Sequence, residues 1–184
     1  MAHPFLHFYT ITKHRHRVIA HCFRAGIGWQ GLFHDLSKYS ITEFIPGARY
    51  YQGTRSPNER ERELHGYSDA WLHHKGRNRH HFEYWNDLNA VSKMYEPVRM
   101  PIRFVKEMFC DRVAASKIYQ GKNYVDMHPL QYFLRGNARK KMHPDTADLL
   151  EGWLTMLGER GERETFAYLK RISNKASYGS EREL

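Results

Sequence analysis

His34 and Asp35 stand side by side in Gly31-Leu32-Phe33-His34-Asp35-Leu36-Ser37-Lys38, offering an imidazole nitrogen and a carboxylate oxygen to one hard or borderline metal ion. Neighbouring side chains on a regular helix or strand diverge, so both can serve one ion only where the backbone turns. The apolar Leu32-Phe33 before the pair and the polar Ser37-Lys38 after it predict a helix leaving the core at that point. A chain with 13 histidines and 20 acidic residues contains such a pair by chance, so the other candidates matter more. They are His14 upstream, His73-His74 and His80-His81 downstream, and Asp111 beyond. Together they read as a metal site.

His14 lies on the apolar stripe of its helix with Ile11 and Val18, away from Arg15 and Arg17, a position that an ordinary core histidine also takes. Asp111 is sharper. Phe104, Met108, Asp111, Ala115 and Ile118 recur at steps of four and three, placing a carboxylate on an apolar stripe. A buried carboxylate must be paired, protonated or bound to a metal, and both Arg112 and an ion are open as its partner. The run from Ala70 to Glu83 holds four histidines in nine residues, either converging imidazoles for a transition metal or a basic nucleic-acid loop. Helical spacing from Trp71 favours His74, and the neighbouring Phe82 favours His81, with both members of each pair left open.

The elements that must carry these groups read as helical throughout. Ile11, His14, Val18, Cys22 and Ala25 share one face of a first helix, which Gly26 and Gly28 end. A second, Trp29 to Leu36, delivers the His-Asp pair. Ser40-Ile41-Thr42-Glu43 has the form of a capping box, so a short helix starts near Ser40 and is disturbed or ended at Pro46-Gly47. Ser56-Pro57 starts a helix running through Leu64 and Trp71 to about Lys75, and Gly76-Arg77-Asn78 separates it from another segment, His80 to Ala90. Pro101 opens the longest clean helix, closed by Gly121; two more follow His128-Pro129 and His143-Pro144, with breaks at Gly158 and Gly161. No convincing alternating strand or internal repeat is present. The expectation is an all-α single-domain helical bundle over residues 1–172 with a fraying polar tail over 173–184.

Composition fits this reading. At 184 residues and 41% hydrophobic content the chain can bury a core, and no stretch approaches the roughly 18 apolar residues of a membrane span. The first residues lack the pattern of a signal peptide, so a cytoplasmic location is expected. Cys22 and Cys110 are too few for a disulfide framework and read as buried core residues. The net charge of +9 favours an anionic partner (phosphate esters, nucleotides or nucleic acid), and its spread along the chain favours an anionic substrate over a sequence-specific DNA reader.

The order His14-x-x-Arg17-Val18, then Leu32-Phe33-His34-Asp35-Leu36-Ser37-Lys38, then the His cluster, then Met108-Phe109-Cys110-Asp111-Arg112-Val113-Ala114 resembles the HD-domain superfamily of metal-dependent phosphohydrolases, over residues 10–120. More closely, Lys38-Tyr39-Ser40 with Glu43-Phe44-Ile45-Pro46, the histidine run ending in Glu83-Tyr84-Trp85, and Met100-Pro101 before Cys110-Asp111 are similar to an uncharacterised HD-like family of bacteria and phages. The superfamily resemblance implies His14, His34, Asp35 and Asp111 as ligands of one ion, and His74 and His81 as ligands of a second bridged by Asp35. Lys75-Gly76-Arg77-Asn78-Arg79 departs from the Gly-Tyr-Pro signature of the cyclic-dinucleotide branch, which argues against those substrates.

The leading expectation is therefore hydrolysis of a phosphate ester, a nucleotide among the candidates, with one or two divalent ions (Mn, Co, Zn or Fe) and with Asp35 and Lys38 in catalytic positions. Lys38, Arg77, Asn78 and Arg112 are the candidates for substrate binding, with Arg17 more plausible as a surface residue. Glu43 and Glu83 are candidate proton carriers. Two alternatives stand beside it: an HD-type di-iron oxygenase using the same six ligands, and a basic nucleic-acid-binding module without turnover. No membrane partner is expected.

Overall fold

The computed structural model describes residues 2–178, and those residues form one all-α domain. Eight α-helices appear among them: α1 (Pro4–Arg24), α2 (Gly28–Gly31), α3 (Ile41–Arg49), α4 (Pro57–His65), α5 (Asp69–Arg77), α6 (Ile102–Gln120), α7 (His128–Arg135) and α8 (Pro144–Arg171). No helix is long and apolar enough to cross a membrane among the described residues.

The centre of the domain is α6, buried on nearly every side: Ile102, Phe104 through Cys110, Val113 and Ala114 are all inside. Against it pack Val18 and Cys22 of α1, Phe133 of α7, and Leu150, Trp153, Leu154 and Leu157 of α8. Phe109 meets Trp153 and Phe166 edge-on, with ring centroids 6.4 and 5.6 Å away. Cys22 and Cys110 are buried thiols within this core. On the other side of α1 a smaller layer forms, in which α3 contacts α1, α4 and α5.

Close approach is decisive at Gly31. A Cβ there would lie 2.4 Å from Cys22 Cβ, so only glycine lets α2 fold back onto α1 just before the His34-Asp35 pair.

Several local expectations are corrected. α2 is only four residues long, and turns carry the chain from Gly31 to Asp35. Pro46 lies inside α3, which continues to Arg49. The helix expected from Ser56 to Lys75 is two helices, because Gly66 takes a left-handed conformation (φ 81°) after His65 and Ser68 caps a new start by accepting from Trp71 N at 3.0 Å. The segment His80 to Ala90 is not helical: a 3-10 turn (Phe82–Tyr84) leads into an antiparallel hairpin of β1 (Asn86–Leu88) and β2 (Tyr95–Pro97), with Asp87 opposite Glu96. Three-residue strands with polar sides leave no alternation to detect. α6, at 19 residues, is shorter than α1 at 21. Gly158 stays helical within α8, whose break falls at Gly161 (φ 76°).

The tail does not simply fray after Ile172. Tyr178 Oη donates to the Met100 carbonyl at 2.5 Å, and Ala176 and Tyr178 pack against the core. Asn174 accepts from the buried Lys106 Nζ at 2.8 Å, which also donates to the Ile172 carbonyl at 2.7 Å. The rest of the tail, 179–184, lies outside the described residues.

Candidate metal centre

His34 and Asp35 turn toward one another because Asp35 adopts a left-handed backbone conformation (φ 53°, ψ 27°). Such a conformation is uncommon for a residue other than glycine and is tolerated by Asp, and it marks a position held by its surroundings. Arg15 supplies part of the hold, donating Nε to the His34 carbonyl at 3.1 Å and Nη2 to the Leu32 carbonyl. The 3-10 turn Leu36–Tyr39 then brings Lys38 back, its Nζ 2.6 Å from Asp35 Oδ2.

Around this turn the fold gathers donors from α1, α5, the following loop and α6. His14 Nε2 lies 2.9 Å from Asp111 Oδ1, which is 3.7 Å from His34 Nε2; that nitrogen in turn is 3.2 Å from Asp35 Oδ2. The opposite oxygen, Asp35 Oδ1, lies 3.3 Å from His74 Nε2 and 3.5 Å from His80 Nε2. Two donor groups result, His14/His34/Asp35/Asp111 and Asp35/His74/His80/His81, in each of which the donor atoms all lie within 4.8 Å of one another. Donors sharing an ion at about 2.1 Å cannot lie more than about 4.2 Å apart, so small adjustments suffice.

The chemistry of the donors fits a metal. Nε2 of His74, His80 and His81 and the Oδ1 oxygen of Asp35 are buried without a hydrogen-bond partner, although native structures rarely leave such atoms unmatched. The far ring nitrogens of His34, His74 and His80 are engaged. Glu43 receives His74 Nδ1 at 2.8 Å and His73 Nδ1 at 2.7 Å, and Glu107 receives His34 Nδ1 at 2.9 Å. A carboxylate holding Nδ1–H leaves Nε2 as the lone-pair donor, the arrangement of metal-binding histidines. The third possible group, His34/His80/Glu107, uses these Nδ1 atoms and is accounted for by hydrogen bonding.

Burial opposes every charge here, and partners decide which survive. It favours protonated Asp35, Asp111 and Glu107; for Asp35 it is outweighed chiefly by His34 and Lys38, for Asp111 by His14 and His34, and for Glu107 by His34 and His80. Asp35 and Asp111 are thus held well below the usual carboxylate range and Glu107 at about 2. Burial, then His80 and His74, pushes His81 well down, toward the neutral binding form. Four carboxylates meet in this space, and Lys38 is the one Lys or Arg within ion-pair reach of them among the described residues. Ions bound at Nε2 would take the place of the imidazole protons that hold these carboxylates down: with the imidazoles neutral, four carboxylates against one ammonium leave three negative charges, which two divalent cations would turn into a single positive charge.

The structure thus brings together His14, His34, Asp35, His74, His81, Asp111 and Lys38. His34, Asp35, His74 and His80 are at most 2% exposed, whereas the Lys38 and Asp111 side chains keep 28% and 19%, so the centre meets solvent along the Lys38–Asp111 edge. Arg112 lies next to Asp111 over the Phe133 ring at 5.6 Å, its Nε without a partner. Asn78 is tied into the scaffold, donating Nδ2 to Ser37 Oγ and the His74 carbonyl, each at 2.8 Å. Arg77 is exposed and donates back to the His73 carbonyl at 3.3 Å. Arg17 lines a separate surface hollow with Tyr9, Lys13 and His16. Glu43 does not close a capping box: Ser40 makes no side-chain cap and the Glu43 carboxylate faces the histidines. Burial raises the carboxyl pKa of Glu83, whose Oε2 has no partner.

Sequence reasoning missed Glu107 and Arg15, and it favoured His81 within the open His80-His81 pair where the structure brings in both. No periodicity separates His80 from His81 in a non-helical stretch. Glu107, however, is one helical turn before Asp111, and that spacing puts both carboxylates on one face of α6.

No curated protein and no solved structure matches the chain. The model of a family of unknown function, DUF5662, matches residues 3–156, and the chain belongs to that family.

Proposed function

We propose that the chain is an HD-type, metal-dependent phosphohydrolase with two ion positions sharing Asp35. The observation that carries this reading is the division of that carboxylate: Oδ2 faces His34 while Oδ1 faces His74 and His80. His14, His34, Asp35 and Asp111 would hold one ion, and Asp35, His74, His80 and His81 the other. When bound, divalent ions supply Lewis acidity and acidify a water for attack. Lys38 stands at the accessible edge, where it would offset phosphate charge. Burial keeps bulk water from the carboxylates and makes their field strong.

The decisive experiment is metal analysis of the purified protein together with phosphate release from p-nitrophenyl phosphate and a panel of nucleotides, before and after chelation. About two Mn, Co or Zn ions per chain with chelator-sensitive phosphate release are expected; metal-free protein that hydrolyses equally well overturns the reading.

The same histidine-rich, carboxylate-bridged set also suits two irons, and that is the second reading. Bound iron with oxygen uptake and no phosphate release would favour an oxygenase. The nucleic-acid module is weakened by the burial of His74 and His80, which removes much of the His-rich surface it needs.

A further inference from the structure

Glu107 is buried on α6 and takes part in neither donor group built on Nε2 atoms. Its Oε1 faces two imidazoles at once, His34 Nδ1 at 2.9 Å and His80 Nδ1 at 3.3 Å. Its Oε2 accepts from Gln30 Nε2 at 2.5 Å, and that amide also donates to the Arg103 carbonyl at 3.2 Å. His34 and His80 belong to different donor groups, and their rings are tilted against one another with centroids 4.4 Å apart and planes 37° from parallel.

We propose that Glu107 is a positioning residue that couples the two ion positions, fixing one ligand of each through a single carboxylate oxygen. The inference rests on the two-ion reading above. Donation of both Nδ1–H groups to Glu107 leaves both Nε2 lone pairs aimed at Asp35, 3.2 Å from one of its oxygens and 3.5 Å from the other. Glu107, the two imidazoles and Asp35 thereby close a ring, so neither imidazole can rotate without disturbing its partner. Glu43 provides the internal contrast. It holds His73 and His74, of which only His74 is a donor, and it touches nothing in the first group. Loss of Glu43 is therefore local, and loss of Glu107 is shared.

The test is calorimetric titration of Co2+ into chelated full-length protein, with the visible Co2+ spectrum and histidine ¹⁵N NMR as further readouts. Wild type should take up two ions. Glu107→Gln should weaken both by about 10- to 100-fold, the usual effect of removing an outer carboxylate, and should disturb the Nδ1–H signals of two histidines. Glu43→Gln should weaken one ion only. Gln30→Ala leaves the carboxylate in place and removes its orienting donor, so it should weaken both ions by a smaller factor; it carries the test if Glu107→Gln does not fold. Wild type that binds fewer than two ions overturns the two-ion reading and the inference with it. Two ions in wild type, with either both affinities unchanged or only one reduced in the Glu107 and Gln30 variants, overturns the coupling alone.

Discussion

Lys38 Nζ lies 2.6 Å from Asp35 Oδ2, the same oxygen that faces His34 Nε2 at 3.2 Å. Burial works against the ammonium, but Asp35 and Asp111 outweigh it and hold Lys38 above its ordinary range, charged at any pH the protein meets. A permanent cation beside the shared carboxylate suits an anionic substrate better than a proton-transfer role. Lys38→Met should keep its metal and lose about 10-fold or more in affinity for inorganic phosphate, in line with about 1.5–3 kcal/mol for a charge-assisted bond. Phosphate inhibition constants in the two proteins check this; unchanged values would exclude Lys38 from substrate binding.

Asp35→Ala should lose both ions while helicity is retained, because both donor groups include that residue. His14→Ala should weaken one ion and His80→Ala the other. Metal content with far-UV circular dichroism distinguishes these outcomes, and full occupancy in Asp35→Ala would end the shared-carboxylate reading.

How much of this centre could be read in advance depended on helical periodicity. His14 and Asp111 sit on regular helices, where three- and four-residue steps report the buried face directly. Asp35 depends on a left-handed turn whose geometry no hydrophobic pattern encodes, although the need for a turn followed from two adjacent ligands. His80 and His81 could not be separated in advance because their places are set by a loop and by the hairpin after it. The capping role read for Glu43 fails because Ser-x-x-Glu describes both a helix cap and a carboxylate one turn into a helix, and only tertiary contacts separate the two.

Acid stability offers a check away from the centre. His21 is buried with Nδ1 3.3 Å from the Cys110 carbonyl, and burial, followed by the Lys117 charge, pushes it down to about 4. In the unfolded chain it titrates near about 6.5, so the unfolded state takes up a proton that the native state refuses. The stability from neutral His21 is complete above about pH 6.5 and is lost as the pH falls toward 4, costing about 2 kcal/mol by about pH 5. In chelated protein, His21→Leu should show a flatter decline than wild type in urea unfolding between about pH 7.5 and 5. Identical slopes would contradict the assignment.

Gly31→Ala should destabilise the fold by about 1–3 kcal/mol, since its Cβ would meet Cys22 Cβ at 2.4 Å between packed helices. Metal affinity should fall as well, because the strained segment leads directly into His34. Thermal unfolding and Co2+ titration measure the two effects; a stable variant with normal affinity would show that α2 can shift without consequence.

The donors span nearly a hundred positions, from His14 to Asp111, and come from segments that meet only in the folded chain. On the proposed reading, ion binding selects the native state: free ion at a hundred times its dissociation constant adds about 2.7 kcal/mol for each site. The metal supply around the protein then sets its lifetime as well as its activity. Where ions are scarce the charge-laden apo form would be the one open to proteases, so abundance would follow ion availability without any change in synthesis.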